Sequence, residues 1–324
     1  MKKVPISIII DDPSPVLSVY YTHHKTGKTD DGREVIEYFP NSFLNEFCDI
    51  IRDYGIKGKF SVVPCPGNRG DIVNGIEGVK YEDMKEWLDT VKKYVVPNFG
   101  IGPEMLTHNK AVDLETGKAL PMREVEWSLT QDRTTLTPYI TKALSVLKEA
   151  GFDCCGVTSP WHFGLDVEDE YTVAISKAVY DVYGKKNAWY FLRSLRDTPN
   201  AKPWVALEED GRTLVSVPST TRDRIWQTIH TTDTSEEYIS KVADELITKD
   251  GKEGEIIRVL ETGGYPILIT HWQSLASNGL FTGVKVLREV AKRIKDNISD
   301  RVEWMNVEEI MEMVIADKES YPKR

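Results

Sequence analysis

The 324-residue chain carries 51 acidic and 41 basic residues, a formal net charge of −10. Nucleic-acid binding needs a basic face and no basic run supplies one, so nucleic acid is excluded as the main partner. No stretch approaches the ~20 apolar residues of a membrane span, so no membrane partner is expected either.

The first element is an apolar, β-branched run, Ser7-Ile8-Ile9-Ile10, that stops at Asp11-Asp12 and the prolines Pro13 and Pro15. It reads as a strand buried on both faces, ended by residues that cannot continue it. Neighbouring side chains in a strand point to opposite faces, and two acids at a buried end need a cation or hydrogen-bond donors. The plain alternative is an acidic turn. Because the apolar segment runs straight into these acids, it is not a signal peptide, and a cytoplasmic location is expected. The four cysteines, Cys48, Cys65, Cys154 and Cys155, have neither a CxxC pair nor zinc-finger spacing, which fits a reduced compartment.

Residues 13–41 form a long polar connection containing Tyr20, Tyr21, His23 and His24, of a length typical of lids and binding loops. A helix is predicted over 42–54, with Phe43, Phe47, Ile50 and Ile51 on one stripe and Gly55 as its stop. A strand over 58–63 and an amphipathic helix over 81–96 come next. A short strand then runs from Phe99 into Glu104 and Thr107-His108. After a second polar excursion, 109–133, Thr137-Pro138 reads as the N-cap and first position of a helix. A strand over 152–157 meets Ser159-Pro160-Trp161-His162, and a helix over 168–183 and a strand over 189–192 follow. Asp210-Gly211 then marks a hairpin. Two helices precede the strand 266–271, and a helix, a strand and a last helix complete the chain.

Alternating strands and helices without repeat or linker point to a single α/β domain over 1–324. The core strands suit a barrel, and an open doubly wound sheet is the alternative. Gly67-Asn68-Arg69-Gly70 and Gly263-Gly264 match neither the dinucleotide nor the P-loop spacing.

In a parallel barrel the carboxyl ends of the strands meet at one mouth. Asp12, Glu104 and His108 would then make a two-carboxylate, one-histidine set with open positions, as a catalytic divalent metal requires. Each alone has a plainer reading, a solvated acid or a hydrogen-bonded histidine. His271, at the carboxyl end of an apolar strand, is a candidate proton donor near neutral pH.

These residues resemble the polysaccharide deacetylase (NodB-homology) superfamily, whose fold is an irregular (β/α)7 barrel. Asp11-Asp12 is similar to the family's strand-ending acid pair, with Pro13 where glycine is usual. Glu104-Met105-Leu106-Thr107-His108 is similar to its His-Ser/Thr-x-x-His motif, with Glu104 in place of the first histidine. Thr158-Ser159-Pro160-Trp161 echoes Arg-x-Pro-aromatic without the arginine, and Ile269-Thr270-His271 echoes Leu-x-His.

The resemblance implies that Asp11 is the base, that Asp12, Glu104 and His108 hold one divalent metal, and that His271 is the acid. Zn is the first expectation. Glu104 adds negative charge to the ligand shell, which brings Mn, Fe, Co or Ni within range. The absent arginine leaves Asp11 without its usual cation, and Arg193, Arg222 and Arg224 are candidates to replace it. Trp161, Trp272, His162 and His23 are candidate substrate contacts. The expected reaction is hydrolysis of an acyl amide or ester, acetyl first, on a small carbohydrate or related molecule. A metal-free amidohydrolase, a glycoside hydrolase on the same fold and a non-catalytic carbohydrate-binding protein are the alternatives.

Overall fold

The computed structural model describes residues 3–24 and 27–322. The strands of its two main sheets, in chain order, are β1 (Val4–Asp11), β2 (Gly58–Val62), β3 (Phe99–Pro103), β4 (Gly156–Thr158) and β5 (Asn187–Phe191). They continue as β6 (Trp204–Glu209), β7 (Arg212–Ser216), β8 (Ile267–His271) and β9 (Val302–Trp304). Helices α1 (Val19–His23) and α2 (Asn41–Tyr54) follow β1, α3 (Tyr81–Thr90) follows β2, and α4 (Glu124–Ser128) and α5 (Arg133–Glu149) follow β3. Then come α6 (Glu168–Tyr183), α7 (Glu236–Leu246), α8 (Glu255–Glu261), α9 (Trp272–Ala276), α10 (Thr282–Ile298) and α11 (Val307–Ala316).

These strands make two sheets, apart from two short antiparallel pairs, Gly70–Asp71 with Gly75–Ile76 and Lys110–Val112 with Ala119–Arg123. One has the order β8-β1-β2-β3, all parallel, with β9 paired to the first residues of β1. The other has the order β6-β7-β5-β4, in which only the β6–β7 hairpin is antiparallel. That hairpin turns on Asp210 (φ 51°) and Gly211 (φ 73°), the two positive φ values a tight hairpin turn demands. The sheets meet at two seams. At one, Glu104 bridges Thr158 and the Met105 N–H donates to Thr158 O at 3.2 Å. At the other, the Thr220 N–H donates to Ile267 O at 2.9 Å. The continuous ring expected from the sequence is therefore interrupted, among the described residues, at both places.

Side-chain alternation explains why the strands read as unbroken apolar runs. Ile6, Ile8 and Ile10 of β1 join the main core with Phe43 and Phe47 of α2 and Val286 and Leu287 of α10. Ile9 joins a second cluster with Trp189, Val215, Ile267, Val307 and Met311, between the sheets and α11. Trp189 needs small neighbours there: a Cβ on Gly156 would lie 2.1 Å from its ring and one on Gly102 2.8 Å.

The two polar excursions are partly ordered. Residues 13–41 contain α1, capped by Ser18, and 109–133 contain a small hairpin and α4. Helix α5 begins five residues before the predicted Thr137-Pro138 start, because Asp132 accepts the N–H groups of Thr134 and Thr135. Thr137 instead donates its hydroxyl to Arg133 O at 2.6 Å. No helix among the described residues is long and apolar enough to cross a membrane.

Candidate metal centre and catalytic cavity

Asp11 is the last residue of β1 and stands in register with His271 of β8. Asp12 leaves the strand with φ 69°, in the left-handed region. Alternation alone would send the two acids to opposite faces. The left-handed step cancels it, and both side chains, almost fully buried, line one cavity of about 660 Å³.

The segment after β3 brings Glu104 and His108 to the same cavity through two more left-handed residues, Met105 (φ 40°) and His108 (φ 52°). Glu124 holds this segment in shape. Its carboxylate accepts the N–H groups of Leu106, Thr107 and His108 at 2.9, 3.0 and 2.9 Å, and the Tyr139 hydroxyl at 2.7 Å. Burial pushes its carboxyl above the ordinary value against these donors. Sequence reasoning missed Glu124; an acid at the start of a helix inside a polar stretch is an ordinary sight.

Asp12, Glu104 and His108 each present a ligand atom, all within 4.8 Å of one another. His108 Nε2 lies 2.8 Å from Asp12 Oδ1 and 3.5 Å from Glu104 Oε1. The Asp12 N–H donates to Glu104 Oε2 at 2.6 Å, and the Gln273 amide donates to Asp12 Oδ2. Asp12 Oδ1 is buried, and its close polar contact is His108 Nε2. Burial and the nearby charges of Asp11 and Asp12 push Glu104 up to about 7. For Asp12 burial works in the same direction, but His108, His271 and Gln273 overcome it and hold the carboxyl well below its usual range. Burial disfavours the His108 imidazolium, yet Asp12 and Glu104 raise its pKa well above the ordinary value. A crowded pair of buried acids and an imidazole nitrogen converging on one point fit a divalent cation.

The cation beside Asp11 is Lys59, from the middle of β2. Its ammonium lies 2.5 Å from Asp11 Oδ1, 2.5 Å from Ser61 Oγ and 2.6 Å from Thr158 Oγ1, so all three donors are used. Lys59 is fully buried, with its ammonium 4.8 Å from the Phe191 ring centre. Thr158 occupies the arginine position of the resemblance, and its hydroxyl meets Lys59 instead. The three arginines considered from the sequence are engaged elsewhere: Arg193 with Glu168, Arg222 with Asp197 at 3.0 Å, and Arg224 with Glu255 at 2.5 Å. A lysine on the inner face of a buried strand was the available signal.

His271 Nδ1 lies 2.7 Å from Asp223 Oδ2, which also accepts the Ser274 hydroxyl at 2.7 Å and the His271 N–H at 3.2 Å. The other oxygen of Asp223 accepts the N–H groups of Ile225 and Trp226 and the Thr270 hydroxyl. Burial disfavours the imidazolium, but Asp223, Asp12 and Asp11 outweigh it and raise His271 to about 9. Asp223 too was invisible in the sequence, lying 48 residues from the histidine it holds.

The candidate substrate contacts divide. Trp161 lines the cavity at 40% exposure, its ring 4.3 Å from that of His108 and 4.8 Å from that of His23. His23 also lines it, stacked on His108 with ring centres 4.9 Å apart and Nε2 3.2 Å from His108 Nδ1. Burial and the His108 charge push His23 down to about 3. Trp272 is a correction: it is 1% exposed, packed among Phe43, Phe47 and Phe60, because it opens α9 and turns into the core. His162 is a second correction, since it is exposed and outside the cavity lining while its neighbour Trp161, at φ 52°, turns in.

No protein-family model matches the sequence, and no curated protein is similar to it in sequence. Solved structures are similar in fold. A polysaccharide deacetylase from Mycobacterium smegmatis superimposes with a TM-score of 0.55 at 15% identity, over 87% of this chain and 79% of that one. A GH57-type branching enzyme from the hyperthermophilic archaeon Pyrococcus horikoshii gives 0.51 at 12% identity, over 96% of this chain and 70% of that one. The chain thus has a mixed α/β fold that it shares with a polysaccharide deacetylase and with a GH57-type branching enzyme.

Proposed function

We propose that the protein is a metal-dependent hydrolase that removes an acyl group, acetyl first, from a carbohydrate, on two sheets arranged as an irregular barrel that is interrupted at the two seams. The observation that carries this reading is the buried Asp12–Glu104–His108 set, whose ligand atoms all lie within 4.8 Å of one another. It opens on a cavity flanked by a carboxylate held by an ammonium and an imidazole held by a carboxylate.

Held by Asp12, Glu104 and His108, a divalent metal supplies Lewis-acid polarisation of the carbonyl and acidification of water. Zn is the first choice, with Mn or Fe favoured more than in a two-histidine set because of the Glu104 charge. Asp11 takes the proton of the attacking water. The bonds from Lys59 and Ser61 both fall on Oδ1, which leaves Oδ2 for the cavity. Lys59 fixes the carboxylate in angle. On the other side, Asp223 fixes His271 by Nδ1, so that Nε2 carries the proton given to the departing amine or alkoxide. Trp161, partly exposed in the cavity lining, offers ring surface for contact with a sugar.

The test is acetate release from a panel of N- and O-acetylated saccharides after reconstitution with Zn, Mn, Fe, Co and Ni, with metal content measured in parallel. Release that requires metal and is lost in Asp11→Asn supports the reading. Full activity after chelation, or metal stoichiometry unchanged in Asp12→Ala and His108→Ala, overturns it.

A further inference from the structure

The rim of the cavity carries two cations that this chemistry does not use. Lys110 and Arg123 are register partners across the antiparallel hairpin of Lys110–Val112 and Ala119–Arg123, and both line the cavity. Like charges directly opposite in a ladder repel each other. Among the described residues neither has a carboxylate ion-pair partner. Glu126, which also lines the cavity, accepts the main-chain N–H of Arg123 at 3.1 Å instead.

The pair is fixed to the catalytic segment. The Lys110 N–H donates to Asn68 Oδ1 at 3.0 Å, and its carbonyl accepts from Asn68 Nδ2 at 2.9 Å and the Thr107 hydroxyl at 2.8 Å. The Arg123 guanidinium lies 4.0 Å over the Trp161 ring, which in turn touches His108. Stacking uses the flat face of the guanidinium and leaves its N–H edge open to a two-oxygen anion. A chain of net charge −10 repels anions at long range. Two uncompensated cations at the mouth of the cavity are what admitting one requires.

We propose that this rim recognises an anionic group, a carboxylate or a phosphate, on the acylated sugar or its neighbouring unit, so that the substrate is an acidic saccharide. The inference rests on reading the cavity as an acyl-hydrolase site.

The experiment titrates N-acetylglucosamine, N-acetylglucosamine 6-phosphate and N-acetylmuramic acid into the metal-reconstituted protein and into its Lys110→Gln/Arg123→Gln variant by calorimetry. At least one acidic probe binds the wild type about tenfold more tightly than the neutral one, the scale of one charge-assisted hydrogen bond. That margin shrinks with salt and vanishes in the double variant, and the two acidic arms show which anion is preferred. Equal affinities, or no measurable binding of either acidic probe, overturn the proposal. So does a margin that survives in the double variant, since the anion then sits on the metal. Acetate release at equal kcat/KM from neutral and acidic probes keeps the hydrolase reading and removes this one. An acidic preference without acetate release does the reverse.

Discussion

Lys59 Nζ and Asp11 Oδ1 lie 2.5 Å apart where side-chain exposure is 0% and 6%. A charge this deep persists only when paired, and removing one partner strands the other. Lys59→Met is therefore expected to cost about 3–5 kcal/mol. Asp11→Asn/Lys59→Met should recover much of that, because no isolated charge remains. Urea denaturation of the two single variants and the double completes the cycle, and additive losses would show that the pair is not coupled.

The proposed metal site gives a second expectation. Reconstituted protein should melt higher than chelated protein, by about 2.7 kcal/mol of stability at a hundredfold excess over Kd. Glu104→His should shift the preference toward Zn over Mn, because it exchanges a hard oxygen for a nitrogen ligand. Competition between the two metals, read by elemental analysis, checks it.

Glu124→Gln tests the support of that site. The amide loses one acceptor oxygen and places a donor against N–H groups that are already donors. Metal affinity should fall about 10–100-fold, the usual cost of losing such a support. Titration with a competing chelator measures it.

His271 sets a pH dependence. Its pKa is raised to about 9, chiefly by Asp223 against burial. As the proposed acid, it must be protonated, so activity should fall as pH rises through about 9 and, in Asp223→Asn, at a lower pH. The sign for stability is the same. The folded value is raised above the ordinary one of about 6.5, so the His271–Asp223 contribution is complete below about pH 6.5 and is lost as pH rises through about 9. Thermal melts across that window, wild type against Asp223→Asn, should converge at the alkaline end.

The two tryptophans should part company. Trp272→Ala should cost about 3–5 kcal/mol, as removal of a buried aromatic does, since the ring sits in the Phe43–Phe47–Phe60 core. Trp161→Ala should cost little stability, at about 0.5 kcal/mol for an exposed position, and raise KM. Melts and steady-state kinetics separate them.

Much was legible in the sequence because it depends on local pattern. The unbroken Ile8-Ile9-Ile10 run, the stripe on α2 and the Asp210-Gly211 turn each follow from period or backbone preference, and each is present. The acids at the end of β1 were legible as needing partners, since burial of a charge has only a few remedies. Which partners they have was decided by tertiary structure. Asp11 and Asp12 reach one cavity only because Asp12 takes a left-handed φ, and no spacing rule reveals that. Lys59 serves Asp11 because β2 lies beside β1 in a register that turns it inward, 48 residues away. Asp223 and Glu124 hold His271 and the 106–108 segment from loops and helix starts where acids are common and carry no local signal. A sequence records the need for a partner at the residue itself. Its identity is set by which strand ends the fold brings within hydrogen-bond reach.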